Sequence, residues 1–292
     1  MNQLILWSMI AAAVPTDVSP AAAMDKQVET LSRTGKWVVN YDRDSCNLAV
    51  QLGNGDRMVI ARFTRFEPGN RFDFALFGKR FFTSETRVEG TADFGLNPKP
   101  TEIHGLGGTS GKLRAMFFSS LRLDGWQRKN DGEVPPEVTP EEEARVTGVT
   151  VDLRGQRPFR LEFGSLGKPF AEMRRCMDNL VTHWGYDAAQ QAAALRPASS
   201  ITSPGTWLNS DDYPTGAYLN GHNGMVQFRL DVDAEGKVAG CYILSRTSPD
   251  EFADVTCRAI TKRARLQPAL DAQGRPMRSY YVNKVLWLAQ SK

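Results

Sequence analysis

Four cysteines are the residues of this sequence whose chemistry is easiest to assign. They are Cys46, Cys176, Cys241 and Cys257. No two of them have the C-x-x-C spacing of a redox motif or a zinc site, and an even number of separated cysteines is typical of structural disulfides in exported proteins. We therefore predict two disulfides, for which four cysteines allow three pairings.

The other residues with catalytic potential do not form a coherent set. The three histidines, His104, His183 and His222, lie far apart in sequence, so they specify neither a nucleophile and base pair nor a metal cluster. The glycine-rich segment 105–112 lacks the Ser or Thr that a phosphate loop needs after its lysine. We expect a flexible turn there, no catalytic residue, no metal, no cofactor, and a protein that is not an enzyme.

The charge balance argues against a nucleic-acid partner. The 36 Lys and Arg residues are nearly balanced by 33 Asp and Glu residues, which leaves a formal net charge of +3. The two signs are interspersed along the chain, whereas nucleic-acid binding proteins cluster their basic residues. The hydrophobic content of 41% is enough for packed cores.

The last third of the chain has a strand, strand, helix, strand pattern. Apolar and polar residues alternate over 225–232 with the period of two expected of a half-buried strand, and 238–245 continues the hairpin after a turn. From Asp250 the apolar residues follow a helical stripe that ends before Pro268. Residues 279–288, rich in Tyr, Val and Trp, predict a final strand.

Several motifs in this segment resemble the C-terminal domain of TonB-family proteins. These motifs are Tyr213-Pro214 with Ala217, Gly224-Met225-Val226-Gln227-Phe228, Gly236 with Val238, Ser245, Asp254, and Pro268-Ala269 followed by Gly274. The resemblance covers about residues 210–290. The sequence departs from the family pattern at Arg246 and Thr247, where the family often has Ser-Gly, and at Leu266, where an aromatic residue is usual.

The resemblance implies a function in partner recognition. Such a domain covers one face of a small antiparallel sheet with a helix and leaves the last strand at an open edge. In the family, a short extended segment of an outer-membrane receptor pairs with that edge by β-augmentation. By this resemblance the partner-binding edge strand has the contact residues Tyr280, Val282, Lys284 and Leu286. The alternative is that the strand only builds the core, through Tyr281, Val285 and Trp287.

The same arrangement favours one disulfide pairing. Cys241 lies on the second strand and Cys257 on the helix that must cover the sheet, so these two cysteines can join helix to sheet. Cys46 and Cys176 would then connect the first strands of the N-terminal half to its last helix. Each disulfide would be internal to one domain.

The N-terminal half predicts a β-rich domain, either a sandwich or a barrel-like fold, with one C-terminal helix. Short alternating or apolar runs predict strands at 37–41, 46–52, 58–66, 71–77, 148–153 and 159–163. The helix is predicted over 170–184. The acidic, proline-containing segment 131–143 is interpreted as a solvated surface loop. The overall fold class is α+β, with a TonB-like ββαβ domain after the β-rich domain.

The first residues predict export. An apolar stretch over 4–14 precedes small residues at 21–23, which is typical of a cleaved secretory signal. We divide the chain into a signal peptide (1–23), a β-rich domain (24–190), a linker (191–209) and a TonB-like domain (210–292). The expected location is the periplasm, peripheral to the membrane, or anchored in the inner membrane if the signal remains uncleaved.

These observations support two main functional hypotheses. The first is a periplasmic TonB-related protein that binds an outer-membrane receptor or another envelope protein through an extended segment, linked by resemblance to transmembrane transport. The second is a periplasmic ligand-binding or envelope structural protein in which the TonB-like domain forms a homodimer. An enzyme with its site in the N-terminal β domain is the least favoured hypothesis.

Overall fold

The structure of the protein is a computed structural model that describes residues 28–81, 87–128, 133–247 and 249–289. The predicted signal peptide, residues 1–23, lies outside the described residues. The fold is α+β, with 22% helix and 40% strand, which confirms the predicted class. A large curled sheet surrounds one long helix, and a three-stranded sheet with its own helix follows.

Within the described residues, ten strands form the N-terminal sheet. They are β1 (Glu29–Ser32), β2 (Val38–Tyr41), β3 (Cys46–Leu52), β4 (Val59–Arg65), β5 (Phe72–Phe77), β6 (Arg87–Asp93), β7 (Thr101–Ser110), β8 (Leu113–Leu121), β9 (Gly148–Leu153) and β10 (Phe159–Glu162). Their order in the sheet is β1-β10-β9-β6-β7-β8-β5-β4-β3-β2. The β1–β10 pair is parallel and the other neighbours are antiparallel.

The sheet curls until the chain after β1 meets β3. The Gly53 N–H donates to the Ser32 carbonyl at 2.9 Å, and the Thr34 N–H donates to the Gln51 carbonyl at 3.0 Å. Because β1 begins the strand order and β3 is next to its other end, these bonds bring the two ends of the sheet together. This is the barrel-like form that the sequence predicted as one of two alternatives.

A long helix fills the interior of the curled sheet. The helix α1 (Pro140–Arg145) precedes it, and the long helix α2 (Gly167–His183) packs its apolar face inward. The Phe63 ring lies 5.6 Å from the Phe170 ring and 5.2 Å from the Phe72 ring, between centroids. The disulfide between Cys46 and Cys176 fixes α2 to β3, with 6.0 Å between the Cα atoms.

The prediction of a surface loop over 131–143 is wrong for residues 140–143, because these residues form the first turn of α1. Thr139 and Glu142 form a capping box at the start of this helix. Glu143 is 2% exposed and pairs with Arg65 at 4.0 Å and with Arg174. Glu143 is therefore a buried counter-ion, and α1 packs on α2 where a solvated loop was expected.

The prediction of a flexible turn over 105–112 is also wrong for most of these residues. Residues 105–110 belong to β7, and the hairpin turn lies at Gly111, whose φ is +60°. A Cβ atom at Gly105 would lie 2.4 Å from the Phe117 carbonyl oxygen and 2.6 Å from the Phe118 ring. Glycine is therefore needed here for close packing of β7 on β8.

The C-terminal half forms a smaller sheet under one helix. Its elements are α3 (Ala188–Ala192), β11 (Ser199–Ser200), α4 (Thr215–Leu219), β12 (Gly224–Val232), β13 (Val238–Arg246), α5 (Glu251–Arg263), β14 (Leu266–Gln267), β15 (Ala269–Leu270), β16 (Pro276–Met277) and β17 (Ser279–Trp287). The antiparallel order is β13-β12-β17. The disulfide between Cys241 and Cys257 joins β13 to α5, so both disulfides have the pairing that the sequence favoured. A membrane-spanning helix needs a long apolar stretch, and no helix in the described part of the chain has one.

The predicted linker, 191–209, is hydrogen-bonded to the C-terminal half along part of its length. The Leu195 N–H donates to the Leu270 carbonyl at 2.9 Å, and the Ile201 N–H donates to the Arg265 carbonyl at 2.9 Å. The short strand β11 pairs with β14 between these two points. The chain between the two halves is thus part of the C-terminal packing, and the predicted domain boundaries stay a prediction.

Candidate partner-binding edge

The last strand, β17, is an edge of the three-stranded sheet. It pairs with β12 over nine residues, from Ser279 opposite Val232 to Trp287 opposite Gly224. Within the described part of the chain, no strand pairs with its other side. An unpaired strand side presents N–H and C=O groups that another extended chain can bind.

The hydrogen bonds of β12 show which residues of β17 present those groups. The Met225 N–H donates to Thr247 Oγ1 and the Met225 carbonyl accepts from the Thr247 N–H, so the backbone groups of Met225 face β13. Because these directions alternate along a strand, Val226 faces β17 and pairs with Val285. Every second residue of β17, starting at Ser279, therefore bonds to β12. The backbone groups of the alternate residues face outward, and these residues are Tyr280, Val282, Lys284 and Leu286.

An aromatic groove runs along the edge on the side of α5. It has a volume of about 880 Å³ and is lined by residues 283–288 together with residues of the segment 204–218. The Tyr213 ring lies 5.5 Å from the Trp287 ring, and the Tyr213 hydroxyl donates to the His222 carbonyl at 2.6 Å. These contacts hold the far wall of the groove against the sheet. We call this space the aromatic groove.

A polar groove runs along the same strand on the side of the N-terminal sheet. It has a volume of about 450 Å³, and its lining includes Glu67, Arg71, Asp73 and Lys284. The Lys284 Nζ lies 2.9 Å from Asp73 Oδ1. Burial raises the pKa of the Glu67 carboxyl to about 7, although the charges of Arg71 and Lys284 act in the opposite direction. We call this space the polar groove.

The side chains of the four predicted contact residues differ in their surroundings: three pack within the chain and one is exposed. The Tyr280 ring lies 5.2 Å from the Trp184 ring, and Val282 is 9% exposed in the core of the N-terminal half. Lys284 is in the ion pair with Asp73, and Leu286 is 49% exposed. The first three side chains therefore pack within the chain. The edge offers its outward backbone groups, except that the Lys284 N–H already donates to Asn283 Oδ1 at 2.8 Å. Their role in partner binding stays a prediction.

The intervening side chains of β17 pack under α5. Trp287 is 4% exposed and stacks on Phe252 at 5.4 Å between ring centroids. Its Nε1–H donates to Thr256 Oγ1 at 3.2 Å. Tyr281 and Val285 also contact this core. This packing agrees with the role in the core that the alternative gave to these three residues, and it is compatible with an open backbone edge. Whether they act only as core stays a prediction, because Val285 and Trp287 also line the aromatic groove.

Aromatic residues after α2 hold the two halves together, and the sequence analysis did not identify them. The Arg229 guanidinium lies 4.5 Å from the Trp184 ring and 4.3 Å from the Tyr242 ring, and it pairs with Asp231 at 3.2 Å. The Tyr186 hydroxyl donates to the Ser279 carbonyl at 2.8 Å. The signal in the sequence is weak, since aromatic residues at the end of a helix are common.

The arrangement of β12, β13, α5 and β17 agrees with the comparison to known families. The family model described as "Gram-negative bacterial TonB protein C-terminal" matches residues 209–287. Residues 209–287 are a TonB C-terminal domain. The match begins one residue before the predicted domain boundary and ends with β17, and it suggests a TonB-related protein of the Gram-negative envelope. No curated protein and no solved structure matches the chain.

Proposed function

We propose that this chain is a periplasmic TonB-related protein that binds an extended segment of an outer-membrane receptor or another envelope protein. The segment adds as a fourth strand to the outer side of β17. The observation that supports this function is the open edge, where the backbone groups of Tyr280, Val282 and Leu286 and the carbonyl of Lys284 face outward between two grooves. A contribution to transmembrane transport would come through the receptor, without a chemical step in this chain.

The two grooves define what the bound segment should look like. Main-chain hydrogen bonds to Tyr280, Val282, Lys284 and Leu286 would supply sequence-independent affinity, and alternate side chains would supply selectivity. One set of alternate side chains would enter the aromatic groove beside Trp287 and should be apolar. The other set would enter the polar groove beside Arg71 and Lys284 and should be polar or acidic.

The direct test is isothermal titration of the full oxidised chain with peptides from the N-terminal segments of outer-membrane receptors of the same cell. Leu286→Pro removes one outward N–H at a half-exposed site. Leu286→Ala is the matched control, because it keeps the N–H and shortens the side chain. We expect Leu286→Pro to weaken binding about tenfold, the effect of a lost hydrogen bond of about 1.4 kcal/mol, and Leu286→Ala to weaken it much less.

Two results would count against strand addition. Equal losses in the two variants would assign the affinity to the Leu286 side chain. A chain that binds no peptide and is dimeric by light scattering, but becomes monomeric as Leu286→Pro, would support the alternative in which the edge pairs with a second copy.

A further inference from the structure

A cleft separates the outer face of the N-terminal sheet from the TonB C-terminal domain. Its volume is about 790 Å³, within the range of about 300–1,000 Å³ typical of small-molecule sites. Residues of β4, β5, β7 and β8 line one wall, and residues of β12, β13 and β17 line the other. We call this space the interdomain cleft. Its walls lie mainly on the face of β17 that is turned away from α5, and it shares only Lys284, Leu286 and Leu288 with the lining of the aromatic groove.

The walls of the interdomain cleft are mainly apolar. Phe66, Leu106 and Phe117 stand on the N-terminal wall, and Met225 and Leu244 stand on the opposite wall. The two walls are bridged at one end, where Lys284 pairs with Asp73 and where the Ser119 hydroxyl lies 4.0 Å from the Met225 sulfur. Because these contacts hold the two walls apart, the cleft exposes hydrophobic surface to water unless a ligand covers it.

One half-buried cation in the lining, Arg62, has no counter-ion among the described residues. The Arg62 guanidinium lies 4.9 Å from the Phe77 ring centroid, its Nε is buried without a hydrogen-bond partner, and no carboxylate of the described residues lies within 4 Å of it. Two other charged residues of the lining, Arg87 and Asp42, have no ion pair among the described residues either, but both are exposed to solvent. The remaining Asp, Glu, Lys and Arg residues of the lining are paired. Asp73 pairs with Lys284, Glu89 with Arg154, and Arg246 with Asp250.

We propose that the interdomain cleft binds an amphipathic molecule with an acyl or alkyl chain and a single anionic head group. The chain lies between Leu106, Phe117 and Met225. The head group, a carboxylate or a phosphate, pairs with Arg62, because an anion is the partner that a half-buried guanidinium without a counter-ion lacks. This ligand site does not depend on strand addition to β17.

The test uses the full oxidised chain and four ligands with the same alkyl chain, each below its micellar concentration. They are dodecanoate, dodecyl phosphate, dodecanol and dodecyltrimethylammonium. We expect titration calorimetry to show saturable binding of the first two, with at least tenfold weaker binding of the neutral and cationic ligands. A preference between the two anions distinguishes a fatty-acid source from a phospholipid source.

Three variants locate the site. Arg62→Gln should weaken the two anionic ligands about 10- to 100-fold, the effect of losing a hydrogen bond to a charged group, and leave dodecanol unchanged. Arg57→Gln is the matched control, since Arg57 is exposed and lies outside the cleft lining. Leu106→Gln, at a half-buried position in the wall, should weaken all four ligands by a similar factor.

Several outcomes would overturn the proposal. Absence of dodecanoate and dodecyl phosphate binding to the unmodified chain would mean that the cleft holds no such ligand. Equal binding of dodecanol and dodecanoate, or an Arg62→Gln variant that binds both anions as the unmodified chain does, would remove the role of Arg62. The absence of anion binding and the comparison of dodecanol with dodecanoate are both measured on the unmodified chain, so these two results do not depend on whether a variant folds.

Discussion

Replacing Glu143 by alanine should destabilise the N-terminal half strongly. Arg65 is 3% exposed, its guanidinium lies 4.8 Å from the Phe170 ring, and Glu143 is the described carboxylate that pairs with it. Burial lowers the pKa of Arg65 to about 10, against the stabilising charge of Glu143. Removing one partner of a buried ion pair costs about 3–5 kcal/mol, because the other charge is left uncompensated. We expect a loss of that size in the free energy of unfolding.

Urea unfolding followed by tryptophan fluorescence would measure this loss. Glu141→Ala is the matched control, since Glu141 is exposed on the same helix, and it should change the free energy of unfolding by less than about 0.5 kcal/mol. A second variant, Glu143→Ala with Arg65→Met, should recover much of the stability, because no buried charge remains. A loss below about 1 kcal/mol in Glu143→Ala alone would refute the reasoning that Arg65 depends on this carboxylate.

Three further predictions concern the C-terminal half and its contact with the N-terminal sheet. Replacing Cys241 and Cys257 by serine should lower the free energy of unfolding by about 3 kcal/mol, the chain-entropy effect of a loop with a sequence separation of 16, as measured by urea unfolding with and without reductant. Trp287→Ala should cost about 3–5 kcal/mol in the same assay, and Leu288→Ala, at a half-exposed position, less than about 1 kcal/mol. Glu67 favours the folded state below pH 4.5 and loses that contribution as the pH rises through about 7, because its folded pKa lies above the ordinary value. Thermal unfolding from pH 4 to pH 8 should therefore show a decline that Glu67→Gln lacks, and parallel curves would contradict this assignment.

The C-terminal half could be predicted from the sequence because its elements have strong, local periodicity. Alternation over 225–232 matched β12 (Gly224–Val232), and the helical stripe after Asp250 matched α5 (Glu251–Arg263). Both patterns arise from one buried face of a single element, so each can be recognised without knowledge of its partner. The positions of Cys241 and Cys257 on facing elements then favoured the disulfide pairing that the structure contains.

The N-terminal half was predicted less completely because glycine and proline obscured its elements. The strand β7 contains glycines that are needed where Gly105 packs on β8, so its sequence resembles a turn. The helix α1 begins with Pro140 and carries three acidic residues, of which Glu143 is buried. The burial of Glu143 depends on Arg65, which is distant in sequence, and no local pattern records that contact.

The sequence predicted the last strand as the candidate binding edge, but it did not predict the cavities that lie beside this strand. The resemblance to the TonB family implied the contact residues Tyr280, Val282, Lys284 and Leu286, and in the structure these are the residues of β17 whose backbone groups point away from β12. Their packing against the N-terminal half could not be predicted, because it joins two faces that are each plausible as solvent-facing surfaces. The polar groove around Glu67 and the interdomain cleft follow from that long-range contact.

The nine-residue pairing of β17 with β12 has a mechanical consequence. The hydrogen bonds of an antiparallel pair are perpendicular to the strands, so a pull along a guest strand bound to β17 loads them together in shear. A pull at right angles would instead open the bonds one after another, as in a zipper. The Ser279 carbonyl at the start of β17 also accepts a hydrogen bond from the Tyr186 hydroxyl, so the N-terminal half would share a load applied at that end of the strand. The edge would thus hold a bound strand against a force along the strand and release it under a force at right angles to the strand.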